Sequence, residues 1–364
     1  MSLTCGIIGL PNVGKSTLFN ALTRAHAAVA PYPFTTIEPN VGTALVPDLR
    51  LQAIASLVPH DQVIPTHLAF VDIAGLVKGA STGAGLGNQF LSHIFAVDCL
   101  AHVVRLFGDE EVAHVTGGVD PLRDVEIVLT ELLLKDVDIV ERWLVGQQKA
   151  ARGGDKSAVA AIEAAARWQD GLHQGRTIRQ LDLPSELHPR AFGLALLSAK
   201  PLFYIANVDE RDTAQHPALL QALYARAEQE RSTVVPIPIK LEAELVELDP
   251  AEQETMSRAL GLTEPALGRI VRAAYQALQL VSFFTTESRI VQAWTVAHGS
   301  TAPQAAGRIH SDFERGFIRA EVIHYDDFIA CGGEAQAKAT GVLRVEGKEY
   351  IVQDGDVIRF RVGA

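Results

Sequence analysis

Residues 9–17 read Gly-Leu-Pro-Asn-Val-Gly-Lys-Ser-Thr, and the spacing G-x-x-x-x-G-K-S inside them narrows the fold more than any other feature of this 364-residue chain. The two glycines let the backbone curl tightly enough for successive N–H groups to point at an anion. In such a loop Lys15 carries a compact positive charge to the β- and γ-phosphates of a nucleotide, and the Ser16 hydroxyl ligates Mg²⁺. Asn12, Val13, Gly14 and Thr17 complete the cradle. The flanks agree. Residues 3–8 are a short, mostly apolar run suited to a buried parallel strand, and residues 17–24 continue with helix formers. Strand, loop and helix in that order aim a helix N-terminus at the phosphates. The expected fold class is α/β, a mostly parallel sheet with helices on both faces.

Charge decides which partners are open to such a nucleotide site. A formal net charge of −11 argues against non-specific binding of DNA, and any contact with RNA must be a local patch. No apolar run is long enough to span a bilayer and the opening residues lack a basic leader, so a cytoplasmic location with no membrane partner is expected. Cys5, Cys99 and Cys331 lie far apart without metal-ligand spacing, and the first two fall in apolar runs as buried thiols.

Downstream segments fit the loop. Residues 30–40 contain Pro31, Pro33 and Pro39, which exclude regular helix and leave an extended switch segment. Thr36 is its candidate for completing the Mg²⁺ shell and sensing the γ-phosphate. The strand over 66–71 ends in Asp72-Ile-Ala-Gly75, where Asp72 would hold Mg²⁺ through water and the Gly75 N–H would meet the γ-phosphate. Glycine-rich residues 78–88 read as a second switch. A Ras-type GTPase has a water-orienting glutamine after that glycine, whereas Leu76 offers no polar atom. His114, in the loop over 108–118, has two open readings: a solvated loop histidine, or the group that places water.

From 120 to 143, Val125, Leu129, Leu132, Leu133 and Val137 recur at helical spacing, Gly153-Gly154 interrupts, and an alanine-rich helix follows over 156–172. This is a helical hairpin, and it interrupts the nucleotide domain because a buried-strand run returns at 201–206, followed by Asn207-Val208-Asp209-Glu210. GTP-binding proteins carry N-K-x-D there, the aspartate accepting from guanine. With Val208 and Glu210 instead, the pattern leans to ATP, and the Asn207 amide can meet the N6/N7 edge of adenine.

These segments together resemble the Obg-like ATPase (YchF) family of the translation-factor-related P-loop GTPases. The resemblance rests on residues 9–17, Tyr32-Pro-Phe-Thr-Thr-Ile-Glu-Pro-Asn40, Asp72-Ile-Ala-Gly-Leu-Val-Lys-Gly-Ala80, Asn207-Val-Asp-Glu210 and Glu242-Ala-Glu-Leu245. It implies ATP as substrate and ADP as product, base recognition by Asn207, Val208 and Glu210, and hydrolysis through a mobile-loop histidine, here His114, acting with Lys15. It further implies Mg²⁺ held by Ser16, Thr36 and Asp72, K⁺ beside Asn12, and a ribosome or another translation-linked partner. The C-terminal part resembles a TGS domain, a β-grasp module. The expected organisation is a nucleotide domain over 1–125 and 200–280, a helical insertion over 126–199 and the TGS domain over 281–364. The alternatives are a GTPase switch and an RNA- or ribosome-binding adaptor with incidental hydrolysis. One departure concerns the base: Pro238-Ile239 stands where a small-residue pair is usual, and proline has no N–H to offer.

Overall fold

Alternation of apolar strand runs with helices builds the first sheet. The computed structural model describes residues 3–27, 40–73, 86–108, 118–209, 217–260 and 266–363. In chain order the elements are β1 (Thr4–Ile8), α1 (Lys15–Ala27), β2 (Val41–Leu45), α2 (Leu49–Leu57), β3 (Gln62–Ile64), β4 (His67–Asp72), α3 (Leu86–Ala96), β5 (Cys99–Arg105), α4 (Pro121–Arg152), α5 (Lys156–His173), β6 (Leu202–Asn207), α6 (Pro217–Gln229), β7 (Val234–Ile237), α7 (Ile239–Leu245), α8 (Pro250–Ala259) and α9 (Ala266–Ala277). After these come β8 (Leu280–Glu287), β9 (Ile290–Ala297), α10 (Ala302–Ile309), α11 (Ser311–Arg315), β10 (Phe317–Ile323), α12 (Tyr325–Cys331), α13 (Glu334–Ala339), β11 (Arg344–Glu346) and β12 (Val357–Val362). Contacts divide the chain into two units: Met1–Ala44 with Ala69–Ala274, and Leu45–Leu68 with Tyr275–Ala364.

The first unit is organised by a sheet in the order β2-β4-β1-β5-β6-β7, in which β4, β1, β5, β6 and β7 pair in parallel. Every residue of β5 and β6 is buried, as expected of central parallel strands covered on both faces. Parallel strands end together, so Ile8, Asp72 and Asn207 finish β1, β4 and β6 along one edge of the sheet. That carboxyl edge is where open α/β sheets place their ligands.

The helical hairpin is longer than its apolar spacing suggests, since α4 continues nine residues beyond Trp143 to Arg152. Asp120 caps α4 by accepting from the Arg123 N–H at 3.1 Å, and Asp155 caps α5 by accepting from the Ser157 N–H at 2.9 Å. Val140, Ala164, Ala165, Trp168 and Leu172 pack between the two helices, and the Trp168 indole donates to the Leu187 carbonyl at 2.8 Å. Asp136, fully buried, accepts from the Leu197 and Ser198 N–H groups, both at 2.7 Å, and so ties α4 to the segment that returns to the sheet. Burial pushes its carboxyl up to about 6, while the bonds to Ser198 and Leu197 pull the other way.

The second unit has the sheet order β11-β10-β12-β8-β9-β3. The neighbours β12 and β8 run parallel, flanked by the antiparallel pairs β10–β12 and β8–β9, which is the β-grasp arrangement. One core gathers Phe283, Phe317, Val322, Ile358 and Phe360. A second gathers Phe284, Val291, Phe328 and Val357 around Leu51, Ile54 and Ala55 of α2, and β3 adds its edge to β9.

Candidate nucleotide site

The loop between β1 and α1 curls as its glycines allow. Gly9 has φ +147°, and a Cβ there would lie 2.5 Å from the Val103 carbonyl oxygen, a backbone atom of the neighbouring strand that cannot yield. Gly14 has φ +101°, and a Cβ would meet the Asn207 side-chain nitrogen at 2.7 Å. Between them Asn12 takes φ +63°, a left-handed conformation that asparagine tolerates. Leu10 and Val13 are buried and anchor the loop, while Ser16 and Thr17 are exposed at the start of α1. The Leu18 N–H donates to the Gly14 carbonyl at 3.0 Å, closing the first turn.

Lys15 is only 7% exposed and donates to the Leu10 carbonyl at 2.7 Å. Desolvation pushes its ammonium down to about 8, opposed by the charge of Asp72. Phosphate oxygens beside it would favour the charged form and raise it again. The Ser16 hydroxyl donates to Asp72 Oδ2 at 2.7 Å, joining the loop to the end of β4. Among the described residues the buried Asp72 Oδ1 has no hydrogen-bond partner. An unsatisfied carboxylate oxygen beside a hydroxyl is an all-oxygen donor set that fits a hard cation such as Mg²⁺. Among the described residues no group of three or more His, Cys, Asp or Glu side chains could hold a metal.

Asn207 differs from its expected use. Its Nδ2 donates to the Val13 carbonyl at 3.0 Å and its Oδ1 accepts from the Ile239 N–H at 3.2 Å, with the residue 6% exposed. The amide that the sequence aims at an adenine edge thus spends one hydrogen and one lone pair on tying the phosphate loop to the start of α7. The Ile239 N–H, left available by Pro238, is the backbone donor of that pair and is taken by Asn207. Val208 is buried beside it and donates its N–H to the Ile237 carbonyl at 3.1 Å. Glu242, at the end of the first turn of α7, is buried and accepts from the Ala266 N–H at 3.3 Å.

The structure therefore brings together Asn12, Val13, Gly14, Lys15, Ser16, Thr17, Asp72, Asn207 and Val208. Thr36, Gly75, Leu76, His114 and Glu210 lie outside the described residues. One cluster had no signal in the sequence. Buried Glu230 accepts from Arg179 (2.6 Å), Arg226 (2.5 Å) and the Tyr204 hydroxyl (2.8 Å), and burial raises the Tyr204 phenol. His102 lies against the Tyr204 ring at 5.5 Å, and burial pushes its imidazole down to about 3. Arg226 and Glu230 stand four residues apart in sequence, whereas Arg179, Tyr204 and His102 come from separate segments, so only the fold assembles the whole cluster.

Comparisons with known proteins agree with this geometry. A family profile described as a 50S ribosome-binding GTPase matches residues 4–141, and one for the C-terminal region of YchF GTPases, described as a protein of unknown function, matches residues 280–363. A protein from Shigella flexneri named ribosome-binding ATPase YchF is 49% identical over 360 residues, covering 99% of both chains. One of the same name from Bacillus subtilis is 47% identical over 363 residues with the same coverage. Among solved structures, the Schizosaccharomyces pombe YchF GTPase matches with a TM-score of 0.88 and 37% identity, covering 99% of this chain and 98% of its own. A GTP-binding protein from Pyrococcus horikoshii, at 19% identity and a TM-score of 0.64, shares the fold. With its phosphate loop, its Ser16–Asp72 pair and its C-terminal unit all within that full-length likeness, the chain belongs to the YchF family.

Proposed function

We propose that this chain is a Mg²⁺-dependent ATPase that converts ATP to ADP and phosphate slowly, switches conformation with its nucleotide, and binds the ribosome in the cytoplasm. The observation that carries the reading is the convergence of Lys15, Ser16 and Asp72 at the carboxyl edge of the parallel sheet. Lys15 and the loop N–H groups stabilise charge on the transferring phosphoryl group. Ser16 and Thr36 would hold Mg²⁺, with Asp72 behind them, and the ion would supply positive charge against the phosphates. Gly75 gives its N–H to the γ-phosphate. His114 positions the attacking water, the task that Leu76 cannot perform. With Leu76 unable to orient the water, turnover is slow.

Base choice rests on Val208 and Glu210 standing where guanine readers have lysine and aspartate, and curated relatives are named ATPases. Asn207 acts on the base indirectly, by holding the loops that frame it. K⁺ beside Asn12 is supported by the family resemblance alone. A second reading, GTP as substrate, is favoured by the solved relative named a GTPase. The partner is supported by the names of the curated relatives and of the profile matching residues 4–141.

Phosphate release from ATP and GTP, measured on the wild type, Lys15→Ala and His114→Ala, tests the reading. The expected result is faster release from ATP, and a loss on the order of a hundredfold in His114→Ala with ADP binding retained. Faster release from GTP, or an undiminished His114→Ala, overturns it.

A further inference from the structure

The far end of the helical hairpin carries charge opposite to that of the chain. Over residues 142–160 the charged side chains are Arg142, Lys149, Arg152 and Lys156 against the single carboxylate of Asp155, in a protein whose net charge is −11. All five are exposed. Asp155 is committed to capping α5 through the Ser157 N–H and hydroxyl. Arg142 pairs with Asp138, whereas Lys149, Arg152 and Lys156 form no ion pair with any described residue. The turn itself is open: an added Cβ at Gly154 would meet nothing within 4 Å.

Helix stability explains only part of this placement. Lys149 and Arg152 in the last turn of α4 suit the negative end of its dipole. Lys156 is the first residue of α5, where a cation is disfavoured by about 0.3–1 kcal/mol. The last buried residue of α4 is Val140, so Arg152 stands twelve residues further on, roughly 18 Å along the axis at 1.5 Å per residue. That reach carries Arg152 well past the last buried turn of α4, and exposed Glu141 and Glu163 are the next carboxylates on the two helices toward the sheet.

We propose that this tip is a contact surface for the phosphate backbone of structured RNA. The proposal rests on the ribosome-binding reading and deepens it by naming RNA as the component met. The chemistry favours RNA over protein because the tip offers long cationic side chains around a bare glycine turn. Its exposed large apolar side chains are Val145 and Val159, too few for the apolar centre of a protein interface. Three phosphate contacts released together leave a salt signature, each contributing about 0.7–0.9 to the slope of log K against log salt.

The test compares the full-length wild type with the triple variant Lys149→Ala, Arg152→Ala, Lys156→Ala, and with the charge-keeping variant Lys149→Arg, Lys156→Arg. Each is titrated against purified ribosomes and against a duplex RNA of about two helical turns, from low to physiological salt. Nucleotide binding and ATP hydrolysis without ribosomes serve as the folding control and should be unchanged in all three. The expected result is a tenfold or greater loss of affinity for both probes in the triple variant, a salt slope shallower by two to three, and wild-type behaviour in the charge-keeping variant. Wild-type affinity in the triple variant overturns the proposal. So does a loss confined to ribosomes when the wild type ignores duplex RNA, which would make the contact a ribosomal protein. If the wild type binds duplex RNA through the tip but not ribosomes, the RNA surface stands and the ribosome reading fails.

Discussion

At the scale of single residues, Lys15 and Asn207 decide how the site responds. Lys15 sits near 8 because burial penalises its charge, and nucleotide phosphates remove that penalty. The bound state therefore holds its proton to higher pH than the free state. Above about pH 8 nucleotide binding should take up a proton, and affinity should fall as pH rises further. Calorimetry in buffers of different ionisation enthalpy measures that uptake directly, and its absence at pH 9 would contradict the assignment. Asn207→Ala leaves the Val13 carbonyl and the Ile239 N–H without their partner in a buried place, a cost of about 1–3 kcal/mol per group. The variant should melt at lower temperature and bind ADP more weakly, which thermal unfolding with and without ADP would report. The loop spacing in the sequence was sufficient to find Lys15 and Ser16. The clamp by Asn207 was not legible, because its partners, Val13 and Ile239, are 194 and 32 residues away.

At the scale of elements, the hairpin depends on a single buried carboxylate. Asp136 satisfies the Leu197 and Ser198 N–H groups, and Asp136→Ala would strand both, costing roughly 2–4 kcal/mol. Hydrogen exchange at those two amides should accelerate while exchange in β5 stays slow, since those strand bonds lie elsewhere in the sheet. The folded carboxyl is raised to about 6 against an ordinary value of 3.8, so the folded state binds more protons between the two. This group's contribution is therefore greatest below pH 4 and declines as pH rises through 6. The hairpin and its glycine turn were readable from three- and four-residue apolar spacing. The final turns of α4 were not, because no residue of α4 beyond Val140 is buried and those turns carry no apolar stripe.

At the scale of the whole molecule, the chain order and the folded units differ. Residues 45–68 lie between two strands of the first sheet, yet Leu51, Ile54 and Ala55 are buried among residues from 284 onward. Arg50 adds ion pairs to Asp48 and Asp354 and lies over the Phe284 ring at 5.5 Å. A chain ended at residue 274 should thus aggregate through the uncovered face of α2, and replacing 45–68 by a short polar linker should restore its solubility, as light scattering would show. Nothing local marks α2 as a partner of distant strands, since its amphipathic spacing would suit any core. The phosphate-loop unit was legible because its chemistry is written in short motifs with fixed spacing. The most direct test of the central claim is calorimetric binding of ADP and GDP to the full-length protein with Mg²⁺ and K⁺ present. The account expects ADP to bind at least tenfold more tightly, about 1.4 kcal/mol. Tighter binding of GDP would contradict the adenine reading of Val208 and Glu210 and identify the protein as a GTPase switch.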